Sequence, residues 1–310
     1  ALTGGVVTPG SIQGSNDDGG GTAFVPNFYY ARPINDKLFF GLGMNAPFGL
    51  ETDYDDDWVG RYHGVHSAIQ TININPSLAY KVNDKLSIGG GVSIQYVHAE
   101  LSQAIDSAAA CLSLVSEGVV TLQNCLDAGL GPTAVGSGTV DSKAELEADD
   151  TSFGFNLGMT YQLNDATRIG AAYRSSVEQD AEGDADFTLN AGLAAIMGPI
   201  NAFSSANGLG QSLVDSDITA SVELPDSLSL SFVHQASDKF QVLGDITWTG
   251  WSNFEELRIK YDSGQDDSVT EEAWDDVLRY SLGINYAKTD RLTLRAGIAF
   301  DEEAIPDPQH

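Results

Sequence analysis

Four histidines, His63, His66, His98 and His234, stand among many serines. An imidazole beside a hydroxyl can take its proton and make it a nucleophile. The Gly-x-Ser-x-Gly elbow that exposes such a serine is absent from the sequence, as is a Gly-x-x-x-x-Gly-Lys-Ser/Thr phosphate loop. The chain is therefore read as no enzyme and as having no nucleotide cofactor. Cys111 and Cys125 lie in one predicted loop, where an oxidising compartment would join them; two free thiols are the alternative. No His or Cys cluster with zinc-like spacing accompanies them, so no metal site is expected there. Acidic residues bunch from Asp53 to Asp57 and from Asp262 to Asp276, which read as solvated loops or, alternatively, as a divalent-cation site.

These residues belong to a chain of 310 residues with a net charge of −29. So acidic a chain, with no basic stripe, is not a partner for nucleic acid. No run of 18 apolar residues occurs, which excludes a transmembrane helix. A transmembrane β-strand needs only about 9–11 alternating residues. Ala1 to Gly21 lack a charged segment followed by an apolar core, so no signal peptide is expected in them. Length and composition suit one large all-β domain over residues 1–310.

Five short stretches share one turn chemistry: Asn35-Asp36-Lys37, Asn83-Asp84-Lys85, Asn164-Asp165-Ala166, Ser237-Asp238-Lys239 and Thr289-Asp290-Arg291. Such side chains bond their own backbone at a reversal, and five hairpins imply ten strands. Around the turns the chain alternates with a period of two, as in Leu86, Ile88, Gly90, Val92, Ile94, Tyr96 and in Leu278, Tyr280, Leu282, Ile284, Tyr286. An apolar face of this kind faces a core in a soluble sandwich and lipid in a membrane barrel. Two long connections, near Gln103 to Asp150 and Asp186 to Asp217, alternate with the short turns, which is the membrane-barrel pattern. Tyr30, Tyr80, Tyr161 and Tyr286 fall shortly before turns and would form an interfacial girdle.

The resemblance that gives this architecture a function rests on ordered stretches: Phe24-Val-Pro-Asn27-Phe28, Arg32-Pro-Ile-Asn-Asp36, Gly41-Leu-Gly-Met-Asn-Ala-Pro-Phe-Gly49-Leu50 and Asp57-Trp-Val-Gly-Arg-Tyr62. Ile74-Asn-Pro-Ser-Leu-Ala-Tyr80, Tyr173-Arg-Ser175, Leu224-Pro225, Trp248-Thr-Gly-Trp251-Ser252 and Gly297-Ile-Ala-Phe-Asp301 continue it. In these the chain resembles the FadL-like outer-membrane transporters of long-chain fatty acids and other hydrophobic compounds. The resemblance implies a transmembrane antiparallel up-and-down β-barrel, with about ten strands of a fourteen-stranded family barrel and short helices in two long extracellular loops. The family's N-terminal hatch would precede Ala1, and about three strands would follow His310. It also implies a Gram-negative outer-membrane location, contact with lipid and lipopolysaccharide, a monomer, a hydrophobic small-molecule substrate and no cofactor.

Three stations for that substrate follow from the resemblance. The first is a groove between the long loops, offering Leu112, Leu114, Val115 and Val119 from one and Leu193, Ile196, Met197, Ile200 and Phe203 from the other. Exposed apolar loops must bind something greasy or pack on each other, and both readings stand. The second is a lumenal pocket, where a carboxylate head would call for Arg61, Arg174 or Arg279, with Arg258 and Lys260 as further cations. Gln103 and Thr270 stand where the family's fatty-acid transporter has cations, which keeps neutral aromatic hydrocarbons as an alternative cargo and a general porin as another reading. The third is a lateral exit at a kinked strand, Leu38 to Leu50. Here Pro47 cannot donate a ladder bond and Gly49 weakens pairing, so a break at Asn45, Pro47, Phe48 and Gly49 follows from the residues.

Overall fold

The computed structural model describes residues 12–305. Expectations placed at Ala1 to Ser11, before Ala1 or at His310 lie outside the described residues. Among the described residues fifteen strands form one antiparallel sheet. In chain order they are β1 (Phe28–Pro33), β2 (Leu38–Asn45), β3 (Gly49–Asp53), β4 (His66–Lys81), β5 (Leu86–Ile105), β6 (Ser142–Asn164), β7 (Thr167–Arg174) and β8 (Val177–Thr188). Then come β9 (Ser216–Leu224), β10 (Ser227–Gln235), β11 (Phe240–Thr249), β12 (Glu256–Tyr261), β13 (Ser268–Glu271), β14 (Val277–Thr289) and β15 (Leu292–Asp301).

Hydrogen bonding arranges them as ten tracks, in the order β1-β2-β4-β5-β6-β7-β10-β11-β14-β15. The five anticipated turns join them in pairs. At the second, Asn83 Oδ1 accepts from the backbone N–H of Lys85 (2.8 Å) and Leu86 (2.9 Å), and Asn35 does the same for Lys37 and Leu38. Five tracks are each made of two strands with an interruption: β2 with β3, β7 with β8, β9 with β10, β11 with β12, and β13 with β14. Four of these breaks fall on one row, because Arg174, Ser227, Thr249 and Val277 are successive partners across the sheet. The second acidic run is thus not all loop, since β13 lies inside it and pairs with β12.

Nearer the turns the wall is apolar outside and polar inside. Ile74, Ile88, Val92, Leu157 and Leu282 are exposed, and Tyr30, Tyr80, Tyr161 and Tyr286 share their face near the turns. On the other face Asn73, Ser93 and Gln95 are buried. Farther from the turns, beyond Tyr96 and Phe153, the polarity reverses along β5 and β6 with no change of register. Ala148, Ala181, Ala185, Ile218 and Ile259 form an apolar inner cluster, backed by Leu101, Leu146 and Tyr261. Glu100, Glu147, Asp184 and Asp217 form one cross-strand row on the outer face. The simplest cause is solvent: lipid demands apolar groups outside, and water above it demands charge.

The strands run well past the lipid band, so the long connections are shorter than the alternation suggested, spanning residues 106–141 and 189–215. Upper strands lie close where glycine allows it. A Cβ on Gly183 would collide with the Glu147 carbonyl and press on Ala148. Gly183→Ala is expected to pry β8 from β6 and to cost roughly 1–3 kcal/mol, read as a lower urea midpoint of the refolded barrel. Asp184→Asn, on the outer face beside it, should change the midpoint little.

Candidate functional site

The first anticipated feature is the break between β2 and β3. Both strands pair with β4, through Asn45↔Asn73 below and Gly49↔Gln70 above. Between them Ala46, Pro47 and Phe48 leave the ladder. The Thr71 hydroxyl takes over, accepting from Phe48 N–H (3.0 Å) and donating to Phe48 C=O (2.6 Å), while Asn73 donates to Asn45 Oδ1 (3.2 Å). Side-chain partners of this kind help a gap in a strand to persist at membrane depth.

Phe48 also meets a group that sequence reasoning did not assign. Its ring lies edge-on to Trp251, with centroids 5.9 Å apart. Trp251 in turn lies 4.9 Å from Trp274, which lies 5.2 Å from Phe254. Each residue sits in a strand interruption: Phe48 between β2 and β3, Trp251 and Phe254 between β11 and β12, Trp274 between β13 and β14. Three breaks therefore bring four aromatic rings to one place. The only signal in sequence was the stretch around Trp251. Ladder register, which sequence does not print, made the connection.

The long connections fold onto each other. Helix α1 (Ser107–Ser116) starts at Asp106, whose carboxylate caps Ala108 and Ala109 and also accepts from Gly136 N–H at 2.7 Å. Helix α2 (Leu122–Asp127) starts with reciprocal bonds between Thr121 and Asn124. Helix α3 (Ala191–Ala206) is capped by Asn190. A Cβ on Gly192 would strike the Ala128 carbonyl, so glycine lets α3 close on the end of α2. Cys111 and Cys125 are disulfide-bonded, with Cα atoms 5.9 Å apart, and both are fully buried.

Leu193 and Met197 lie in the buried cluster around this disulfide, and Leu114, Val115, Ile196 and Ile200 pack against it. This packing covers Leu193 and Met197, which corrects the groove reading for those two, whereas Leu114, Val115, Ile196 and Ile200 stay half-buried. Leu112 is half-buried. Val119 and Phe203 remain exposed, with Leu122 and Leu126 beside Val119 in the chain.

The cations separate by location. Arg61 is 2% exposed, and every N–H of its guanidinium is engaged. Nε donates to Asp141 at 2.7 Å, Nη1 to the carbonyls of Gln13 and Trp58, and Nη2 to Tyr62 Oη (2.7 Å) and the Gly136 carbonyl. With no donor left for a ligand, Arg61 is corrected from a head-group contact to a clamp between the β3–β4 loop, the 12–15 segment and the approach to β6. Tyr62 donates to the same Asp141 at 2.9 Å. Burial, and then the Asp141 carboxylate, push the Tyr62 phenol up to about 12. Arg258 and Lys260 are on the outer face, and Arg258 is held by Glu256 and Asp267.

Arg174 and Arg279 are on the inner face, separated by β10 and β11. Arg174 borders a lumenal pocket of about 650 Å³ with Ser77, Asn156, Ser229 and Asp245. Arg279 Nε lies 3.9 Å from Asp301. Gln103, opposite Ala144, and Thr270, opposite Leu257, face inward above them.

A wall with a lipid-facing apolar band, a polar lumenal face and interrupted strands defines an outer-membrane β-barrel of the transport type. Residues 3–310 match the outer membrane protein transport protein family (OMPP1/FadL/TodX), and the chain belongs to that family. It is 32% identical over 289 residues to the long-chain fatty acid transport protein of Escherichia coli O6:H1, covering 92% of this chain and 61% of that protein. It is 34% identical over 287 residues to outer membrane protein P1 of Haemophilus influenzae, covering 91% and 58%. The crystal structure of a Pseudomonas aeruginosa FadL homologue superposes with a TM-score of 0.76 at 27% identity, over 96% of this chain and 66% of that one. The chain thus spans about three fifths of the length of these curated relatives. Its place is the Gram-negative outer membrane, and its family is one of transport proteins, not enzymes.

Two outcomes follow. Replacing both Cys111 and Cys125 by Ser should cost the loops about 2–4 kcal/mol, seen as faster protease cleavage between residues 106 and 141 while the barrel stays folded. The raised Tyr62 pKa favours the folded clamp below the ordinary phenol value near 10, and this contribution is lost as pH rises through about 12. Alkaline titration should therefore open the β3–β4 loop to protease between those values in the native protein, and Tyr62→Phe should lack that step.

Proposed function

We propose that the protein, as one barrel domain, passively carries long-chain fatty acids or similar hydrophobic compounds across the outer membrane. Exposed apolar loop residues, Val119 and Phe203 among them, take the compound from water. The break at Asn45, Pro47, Phe48 and Gly49 releases it sideways into the outer leaflet. Each CH₂ withdrawn from water contributes roughly 0.8 kcal/mol, so a long acyl chain gains most from a path that never returns it to water. Such movement runs down a gradient and calls for no cofactor. The protein acts as a monomer surrounded by outer-membrane lipid and lipopolysaccharide.

One observation carries this reading: in the gap of the β2–β3 track Thr71 takes up both backbone groups of Phe48, and the Phe48 ring joins an aromatic cluster. Lumenal Arg174 and Arg279 are the cations left to meet a carboxylate head. The same cluster of Phe48, Trp251, Phe254 and Trp274 favours a second cargo, neutral aromatic hydrocarbons, which need no cation.

Uptake of labelled palmitate, with toluene as competitor, in cells that lack their own transporter and express the full-length protein tests both. Palmitate uptake that falls to background when Ala46, Pro47 and Phe48 are deleted, and that Arg174→Gln reduces while sparing toluene entry, is the expected result. Toluene entry without palmitate entry would change the cargo. Entry of neither, with sugars passing freely, would replace the transporter by a general porin.

A further inference from the structure

The outer face just above the lipid band carries a group that transport of an apolar cargo does not use. His98, Glu100 and Glu147 each place a ligand atom within 4.8 Å of the others. His98 Nε2 lies 2.9 Å from Glu100 Oε1 and 3.9 Å from Glu147 Oε1. From the opposite side His66 brings Nε2 to 3.5 Å from Glu100 Oε2. Four donors, two nitrogens and two carboxylates, thus come from three neighbouring strands, β4, β5 and β6.

Three observations point to a cation here. In a tetrahedral zinc site with bonds near 2 Å, neighbouring ligand atoms stand about 3.3 Å apart, and the separations above bracket that value. His66 has its other ring nitrogen, Nδ1, 3.3 Å from Asp53 Oδ1, the arrangement in which a carboxylate behind an imidazole orients it toward a metal. Glu100 and Glu147 are directly opposed cross-strand partners, and Glu147 is opposed by Asp184 on its other side. Like charges directly opposite in a sheet are destabilising, and a cation between the first two removes that cost.

We propose that His98, Glu100 and Glu147 bind a divalent transition-metal ion of zinc's class, with His66 available to the fourth position and Asp53 orienting His66. Imidazole nitrogens favour such an ion over calcium or magnesium, which prefer oxygen alone. The site sits on the face of Tyr96, an exposed lipid-band residue two positions before His98 on β5. It ties the extensions of β4, β5 and β6 together at the level where the wall leaves lipid. All four donors are accessible from outside, with Glu147 71% exposed and the two imidazoles about one quarter exposed, so an ion enters without opening the barrel.

The test uses the untagged full-length protein in detergent, stripped with a chelator and then titrated with Zn²⁺ against a chromophoric competitor. One saturable Zn²⁺ per chain is expected, undisturbed by equal concentrations of Ca²⁺ or Mg²⁺. His98→Gln and Glu147→Gln should each weaken binding at least tenfold, and Asp53→Asn by roughly 10–100-fold as an orienting residue. These side chains lie on the outer face, and heat-modifiable gel migration verifies that each variant is folded. Absence of saturable binding, equal competition by Ca²⁺, or folded variants that bind like the native chain would overturn the site.

Discussion

In lipid there is no water to pair with an exposed peptide group, so every backbone N–H and C=O must find a partner within the protein. The rest of this structure follows from that demand. It draws the chain into ten hydrogen-bonded tracks and places the reversals where Asn, Ser and Thr side chains bond the backbone of the turn. It also limits how a strand can break. The β2–β3 interruption exists because the Thr71 hydroxyl both accepts from and donates to Phe48. The edge strands β1 and β15 have exposed residues throughout and pair, among the described residues, on one side each.

Breaks are also where the molecule acquires chemistry. Four of them share one row across the sheet. A regular ladder sends alternate side chains strictly in and out, whereas residues in a break are free to turn. Phe48, Trp251, Phe254 and Trp274 come together for this reason. Beyond the apolar band the sheet behaves as a soluble one, with an apolar inner cluster and a charged outer surface. The disulfide cluster then fastens the two long loops over it, and Arg61 fastens the β3–β4 loop.

The ten tracks, the five turns and the break at Pro47 could be read from the chain alone, because period-two alternation, Asx turns and a missing amide are local properties; the other four interruptions, which divide the tracks into fifteen strands, could not. The disulfide pair was readable as one of two alternatives. The role of Arg61 was not readable, since Asp141 lies 80 positions away and only folding shows that all five donors are taken. Nor was the division of the apolar loop residues into packed ones, such as Leu193 and Met197, and exposed ones, such as Val119 and Phe203. Composition makes a side chain apolar, and the neighbouring helix decides whether it is covered.

By itself, then, the sequence determined a set of antiparallel hairpins, through patterns repeated every second residue and at every turn, and its resemblance to a transporter family implied the membrane barrel. Tertiary structure alone decided which cations face the lumen, which rings meet at the breaks and which histidines stand beside which carboxylates. The physical reason is register. A strand's alternation says which face a residue occupies, but only the pairing of Ala68 with Glu100, and of Glu100 with Glu147, says what stands beside it there.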